Sequence, residues 1–159
     1  MKITLLAVGR LKEGPERARV TRYLERSRDL GKALGFTGFD VVELAESRAT
    51  RAVDRKIEEG RSILTRLEGV PHIALDETGQ SPTSEEFSRW NENLRDGGAR
   101  NLAFIIGGAD GLDPTVVKAA QHKLAFGAMT LPHQLARIVL SEQLYRAMTL
   151  LAGHPYHRA

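Results

Sequence analysis

The stretch of residues 101–146 constrains the fold of this 159-residue chain more than any other. An apolar run at 102–106, Leu-Ala-Phe-Ile-Ile, leads into a glycine-rich turn at 107–111 and then into a helical pattern. A second apolar segment at 126–131 leads into a longer helical pattern over 133–151. Strands that end where helices begin are typical of α/β domains. Because ligands bind at the carboxyl edge of such sheets, we expect a site where these two strands end.

The earlier part of the chain alternates in the same way. Apolar runs at 3–8, 39–44 and 70–75 predict three strands, and helical periodicity follows each of them. Strands at 102–106 and 126–130 bring the total to five, with the acidic segment 76–80 expected as a polar loop. We predict one domain, residues 1–159, of the α/β class: a mainly parallel sheet of about five strands flanked by helices.

Two features bear on the compartment. The chain has no cysteine, which excludes a disulfide framework and thiolate metal ligands and fits a reducing environment. The first apolar run is too short for a signal sequence or a membrane span. We therefore expect a cytoplasmic protein without a membrane partner.

The last helical segment is apolar around more than half of its circumference, whereas a surface helix carries a stripe of somewhat over about 100°. This pattern predicts a helix buried on two sides. Since a short chain has little material to cover both sides, we predict that a second copy covers part of it, in a homodimer. The apolar positions are Leu135, Val139, Leu140, Leu144, Ala147, Met148, Leu150 and Leu151, and the polar arc holds Gln134, Ser141, Glu142 and Thr149.

The glycine turn and the histidines are the main candidates for chemistry. Glycine lets backbone approach a ligand closely, although a merely tight turn explains the same residues. The turn is not a dinucleotide fingerprint, because Ile106 stands where that motif needs glycine. His154 and His157 are three residues apart, but Pro155 argues against a helix that would point both at a metal, so no metal site is expected. His133, at a helix start facing the turn, is better placed.

The basic residues indicate an RNA-binding surface only weakly. The formal net charge is +3, and the helix predicted over 16–34 carries five arginines on its outer side. The pattern fits either a solvated helix face or a surface for RNA phosphates. These residues are Arg17, Arg19, Arg22, Arg26 and Arg28.

Several blocks together resemble one family. They are Phe-Ile-Ile-Gly-Gly at 104–108, Met-Thr-Leu-Pro-His-Gln at 129–134, Glu-Gln and Tyr-Arg within 142–146, and Gly-His-Pro-Tyr-His at 153–157. With the opening Lys-Ile-Thr-Leu-Leu-Ala-Val-Gly, the chain resembles over its whole length the ribosomal large-subunit pseudouridine N3-methyltransferases. That family belongs to the trefoil-knotted SPOUT superfamily of S-adenosylmethionine enzymes.

The resemblance implies a C-terminal trefoil knot over about residues 70–159, with the last helix threaded through a loop and packed against a second subunit. It implies S-adenosylmethionine as cofactor, bound by the backbone of three loops, and gives Asp110 no role. The implied cofactor-binding residues are Leu75, Gly107, Phe126, Gly127, Ala128, Met129, Thr130 and Leu131.

The implied reaction is methyl transfer to N3 of a pseudouridine in 23S ribosomal RNA, with the assembled 70S ribosome as the expected substrate. N3 carries a proton, so a general base and a cation near the flanking carbonyl oxygens would assist the transfer. The base or orienting role falls to His157 or His133. The expected catalytic set is His133, Arg137, Tyr156 and His157, with His154 and Arg158 as further substrate contacts.

Three alternatives remain. A knotted methyltransferase could act on transfer RNA or another ribosomal site, with a different tail. A protein of the same fold could bind ribosomes without catalysis. A flavodoxin-type protein that binds a small molecule is disfavoured by the wide apolar arc of the last helix.

Overall fold

The first strand of the sequence lies in the interior of the sheet. In the computed structural model, which describes residues 1–157 with His157 by its backbone alone, β1 (Lys2–Val8) pairs in parallel with β2 (Gly38–Leu44) and with β4 (Asn101–Ile106). β3 (His72–Gln80) pairs with β4 and with the short β5 (His122–Leu124), again in parallel. The order is therefore β2-β1-β4-β3-β5, which confirms the predicted parallel α/β sheet of five strands.

Helices cover both faces of this sheet. One face carries α1 (Pro15–Gly31), α3 (Ser84–Asp96) and α5 (His133–Leu151), and the other carries α2 (Ala52–Leu67) and α4 (Pro114–Ala119). Short 3-10 turns follow α1 at Lys32–Leu34 and α5 at Pro155–His157. Since successive strand residues point to opposite faces, β1 sends Leu5 into the first core and Leu6 into the second.

The prediction for the fifth strand was wrong. Residues 126–130 form a loop, in which Met129 is 84% exposed, and the fifth strand is His122–Leu124. Three residues, His-Lys-Leu, carry no recognisable alternation, so their pairing with β3 decides the assignment.

The acidic segment 76–80 is also not a loop, because β3 continues through it to Gln80. The register shifts between Leu75 and Gln80, both of which pair with Leu124. At Gly79 a Cβ atom would lie 2.7 Å from the backbone carbonyl carbons of Lys123 and Leu124. Only glycine lets the two segments approach this closely.

The long α5 lies between α1 and α3 and is buried on two sides, as predicted. The predicted polar arc was wrong for Ser141 and Thr149, which are buried and donate to the carbonyl oxygens of Arg137 and Arg146. Conversely, Leu135, which belongs to the predicted apolar arc, is 47% exposed. The chain's own helices thus cover much of the surface that we assigned to a second copy.

The trefoil knot implied for about residues 70–159 stays a prediction. Within residues 1–157, no helix combines the length and the apolar character that a bilayer span requires.

Candidate active site

A cleft of about 670 Å³ opens at the carboxyl edge of the sheet. Its walls are the end of β3, the glycine turn after β4, the loop after β5 and the first turn of α5. Its volume lies within the usual range for small-molecule sites, about 300 to 1,000 Å³. All eight residues that the resemblance assigns to the cofactor line this one cleft, namely Leu75, Gly107, Phe126, Gly127, Ala128, Met129, Thr130 and Leu131. Their contact with a cofactor stays a prediction.

The glycine turn folds back on itself at the floor of the cleft. Gly108 and Gly111 form a backbone bridge, and Gly111 has a φ of +81°. A Cβ atom on Gly107 would lie 2.8 Å from the carbonyl carbon of Gly111 and 3.0 Å from the backbone nitrogen of Leu112. These neighbours are backbone atoms, so a side chain at Gly107 would force the turn to open.

Helix α2 holds the glycine turn in place from outside the cleft. The Nε and Nη2 atoms of Arg55 donate to the two carboxylate oxygens of Asp110 at 2.6 and 3.0 Å. Nη1 of the same guanidinium donates to the carbonyl oxygens of Ala49 and Thr50. The hydrogen bond from Arg55, opposed by partial burial, holds the pKa of Asp110 below its usual value. No local pattern indicates this contact, since the two residues are far apart in the chain.

Buried Glu59 supports the same turn. Its Oε1 accepts a hydrogen bond of 2.9 Å from the backbone nitrogen of Ser47. Its Oε2 would lie 3.2 Å from a Cβ atom on Gly108. Both glycines at the start of the turn therefore have close neighbours that leave little room for a side chain.

His133 is the predicted catalytic residue that lies in the cleft. It occupies the first position of α5, is partly exposed and lines the cleft beside Pro132. No side chain caps this end of α5 among the described residues. The cleft thus combines an imidazole with the positive end of a helix dipole.

Arg137, one turn further along α5, faces the strand ends and not the cleft. Its side chain is 2% exposed and donates to Glu43 Oε1 at 2.7 Å and to the carbonyl oxygens of Gly9 and Val8 at 2.6 and 3.2 Å. Its buried Nε finds no partner among the described residues. These bonds tie α5 to the ends of β1 and β2. The predicted contact of Arg137 with substrate is therefore not supported by its position and stays untested.

Glu43 is the ionised partner in this network. Burial raises the pKa of its carboxyl, but hydrogen bonds from the Leu11 backbone and from Arg137, with the charges of Arg137 and Arg17, outweigh that effect and lower the pKa overall. A carboxyl whose pKa is lower in the folded state stabilises the fold above its unfolded pKa of about 4.3. This stabilisation disappears as the pH falls through the folded pKa.

We therefore expect Glu43→Gln to destabilise the protein strongly at pH 7 and much less near pH 3. Urea unfolding of both proteins across this pH range measures the difference in unfolding free energy. Asp54→Gln provides a control. Asp54 pairs with Arg51 at 3.7 Å near the protein surface, so its replacement should lower the free energy of unfolding only slightly at any pH. A loss that is constant with pH would contradict the assignment of Glu43 as the titrating group.

The described part of the tail docks on the middle of α5. The ring of Tyr156 lies 4.6 Å from that of Tyr145, and its hydroxyl donates to Glu142 Oε1 at 3.3 Å. Arg146 donates to the same oxygen at 2.7 and 3.0 Å. Burial and the charge of Glu142 raise the pKa of Tyr156 to about 12. Exposed His154 accepts a hydrogen bond at Nδ1 from the Tyr156 backbone at 3.2 Å.

The docked tail and the cleft are separated within one protomer. Glu142 follows His133 by about two and a half turns of α5, which is about 13 Å. The side chain of His157 and all of Arg158 lie outside the described residues, so their predicted roles stay untested.

The arginines of α1 are mostly engaged within the protein. Arg17 donates to the carbonyl oxygen of Leu11 and pairs with Glu43, and Arg28 donates to the carbonyl oxygen of Phe39. The guanidinium of Arg26 lies 4.4 Å from the centre of the Tyr145 ring. This face is thus less available to RNA than its composition indicated. As for metals, the described residues contain no group of three His, Asp or Glu side chains that could hold an ion.

Comparisons with known proteins agree with this architecture. The family model described as predicted SPOUT methyltransferase matches residues 1–157. A protein of Xanthobacter autotrophicus named ribosomal RNA large subunit methyltransferase H is 52% identical over 160 residues, which cover 100% of both chains. A protein of the same name from Methylobacterium nodulans is 52% identical over 159 residues, 99% of this chain and 98% of the relative.

One solved structure is similar in fold. It is the crystal structure of a probable methyltransferase from Bordetella pertussis, with a TM-score of 0.52 and 14% identity. The match covers 92% of this chain and 95% of that one.

Proposed function

This chain belongs to the SPOUT methyltransferase family, and on that premise we propose that it methylates N3 of a pseudouridine in 23S ribosomal RNA, using S-adenosylmethionine. The ribosomal substrate is supported by relatives that match the full chain at about half identity and are named for the large-subunit RNA. The assembled 70S particle in the cytoplasm is the proposed form of the substrate. The observation that carries the proposal is the glycine-floored cleft.

The residues present fit the cofactor. The glycine turn brings backbone close to the cleft without side chains, and Leu75, Phe126 and Leu131 add apolar surface on which a purine can lie. When bound, S-adenosylmethionine supplies a methyl group activated by its sulfonium charge. The backbone segments around Leu75, Gly107 and 126–131 would hold it.

The chain's own residues must orient the base and remove its proton. His133 lines the cleft, and a neutral imidazole there can accept the N3 proton, an effect worth about 10²- to 10⁴-fold in rate. The positive end of α5 stabilises negative charge that develops on the base. Positioning of the two reacting atoms supplies a larger part, about 7 to 11 kcal/mol.

The tail requires a second subunit to reach a cleft, and we infer a homodimer for that reason. In one protomer the docked Tyr156 lies about 13 Å along α5 from His133. The open stripe of α5 carries Leu135, Ile138, Val139 and Leu150, none of which is fully buried. Pairing through this stripe would cover apolar surface and bring the tail of each protomer toward the cleft of its partner.

We expect Leu135→Glu to convert the dimer to a monomer and to lower methyl transfer by tenfold or more, because a charge replaces apolar surface at the interface. Light scattering and activity measure the two effects. Val53→Glu is the matched control, since Val53 is 56% exposed on α2, away from the stripe. A wild-type protein that is monomeric at micromolar concentration would refute the dimer.

We expect Gly107→Ala to weaken binding of S-adenosylmethionine by about tenfold or more, because the methyl group displaces backbone of the turn. Calorimetry measures the affinity directly. Gly38→Ala, where a Cβ atom would only reach ordinary contact at 3.6 Å from Lys2, should bind normally. Normal affinity in Gly107→Ala would place the cofactor elsewhere.

The proposal is tested by methyl transfer from labelled S-adenosylmethionine to 70S ribosomes, large subunits, naked ribosomal RNA and transfer RNA from cells that lack this protein. Nucleoside mass spectrometry then locates the methyl group. Label recovered as N3-methylpseudouridine from 70S particles is the expected result. Label on transfer RNA would replace the proposed substrate, and no label despite cofactor binding would indicate a non-catalytic ribosome-binding protein.

A further inference from the structure

A second groove, of about 590 Å³, runs beside the cleft. Its lining includes Lys56 of α2, Lys118 of α4 and Lys123 of β5. Two helices and one strand thus bring one cation each to the same groove. Lys56, Asp76 and Leu112 line both the groove and the cleft, so the two are continuous.

The groove is positively charged. The ion pairs found among the described residues all use other cations, although the charge of Lys56 also acts on Asp110 of the neighbouring glycine turn. The carboxylate in the lining, Asp76, accepts hydrogen bonds from the backbone nitrogen and hydroxyl of Thr78. Lys118 and Lys123 are exposed, and Lys56 is partly exposed.

One wall of the groove is held rigidly. His122 lines the groove, and its ring stacks on Trp90 of α3, with ring centres 4.6 Å apart and planes 10° apart. β5 itself is fixed by its pairing with β3. Lys123 therefore projects from a strand whose backbone is held, so only its side chain must be ordered when it binds an anion.

We propose that this groove binds the phosphates of the RNA strand next to the base in the cleft. The inference rests on the proposed function and names the surface by which its substrate is held. A base that enters the cleft leaves its neighbouring nucleotides at the rim, and the groove is continuous with that rim. Lysine acts on phosphate as a point charge, so the groove contributes affinity and orientation, while the cleft selects the base.

The α1 face competes less well for this role. Three of its five arginines already contact protein groups, namely Arg17, Arg26 and Arg28. The three lysines have no such commitment among the described residues, and they lie next to the cleft.

The test compares wild type with a Lys56→Gln, Lys118→Gln, Lys123→Gln variant, using 70S ribosomes lacking the modification. We expect the KM for ribosomes to rise about tenfold or more. In co-sedimentation, the slope of log affinity against log salt should become shallower by about 2 to 3, since each lost phosphate contact removes about 0.7 to 0.9.

Two further variants complete the test. Lys118→Gln, Lys123→Gln keeps Lys56, which also lines the cleft. This variant should show most of the rise in KM, while kcat and the affinity for S-adenosylmethionine stay within about twofold. Lys32→Gln, Arg66→Gln, Arg100→Gln removes the same charge from exposed residues at the opposite edge of the sheet and should change little. An unchanged KM and salt slope in the groove variants, or an equal loss in this control, would overturn the proposal. Co-sedimentation needs no methyl transfer, so failure of the proposed reaction remains distinguishable from failure of the groove.

Discussion

Replacing Arg137 with methionine should lower the free energy of unfolding by about 3 to 5 kcal/mol, which is the usual loss when one partner of a buried ion pair is removed. Methionine fills much of the same volume but leaves Glu43 without its short hydrogen bond. It also leaves the carbonyl oxygens of Val8 and Gly9 without this donor. Urea unfolding at pH 7 and 15 °C measures the loss, and the total stability of a domain, about 5 to 15 kcal/mol, is large enough to observe it.

A double-mutant cycle separates charge from packing. If the uncompensated carboxylate causes the loss, Arg137→Met combined with Glu43→Leu should be more stable than the sum of the single losses predicts. Arg22→Met removes an exposed arginine of α1 and should change stability by less than about 0.5 kcal/mol. A loss below about 1 kcal/mol in Arg137→Met would show that the network is not important for the fold. Normal stability with lost activity would restore the substrate role that the sequence suggested.

Ending the chain at Gly153 should lower methyl transfer by about two orders of magnitude or more while cofactor affinity changes little. The expected size follows from the loss of groups that we propose for proton transfer and orientation of the base. The described tail contacts α5 through Tyr156, and the cleft residues lie elsewhere, so the cleft should survive the deletion. Single-turnover assays on 70S ribosomes and calorimetry with S-adenosylmethionine measure the two quantities.

The full-length Tyr156→Phe variant is the matched comparison. It keeps the ring on Tyr145 and loses only the hydrogen bond to Glu142, so its activity should fall far less than that of the truncated chain. Full activity after truncation would end the proposed role of the tail. Equal loss of cofactor affinity would give the tail a structural role instead.

Much of the fold followed from hydrophobic periodicity, because long strands and helices average over many side chains. β1, β2, β4 and α5 lie where their apolar runs predicted. The error at β5 has a physical cause. Three residues contribute too few side chains for a pattern, and the apolar segment after it lines a cleft, with Phe126 at the margin of the core. The extension of β3 depends on the absent Cβ of Gly79, which only its position against Leu124 reveals.

The candidate site was likewise predictable only in part. The sequence indicates the glycine turn because it follows β4, and it indicates His133 because that residue begins α5. Hydrophobic periodicity predicts both elements. The contacts that hold the site, Arg55 with Asp110 and Arg137 with Glu43, join residues far apart in sequence. Nothing local distinguishes such an arginine from a solvated one. Assigning Arg137 to substrate was therefore reasonable from chemistry, yet its surroundings are the ends of β1 and β2.

The position of β1 between β2 and β4 has a consequence for synthesis. β1 is made first, but its neighbour β4 begins at Asn101, and Arg137 bonds to the end of β1 still later in the chain. Until residue 106 has emerged, one edge of this apolar strand has no partner, and contacts of such long sequence separation slow folding. The nascent N-terminal half should therefore be unable to complete its sheet before β4 has emerged from the ribosome.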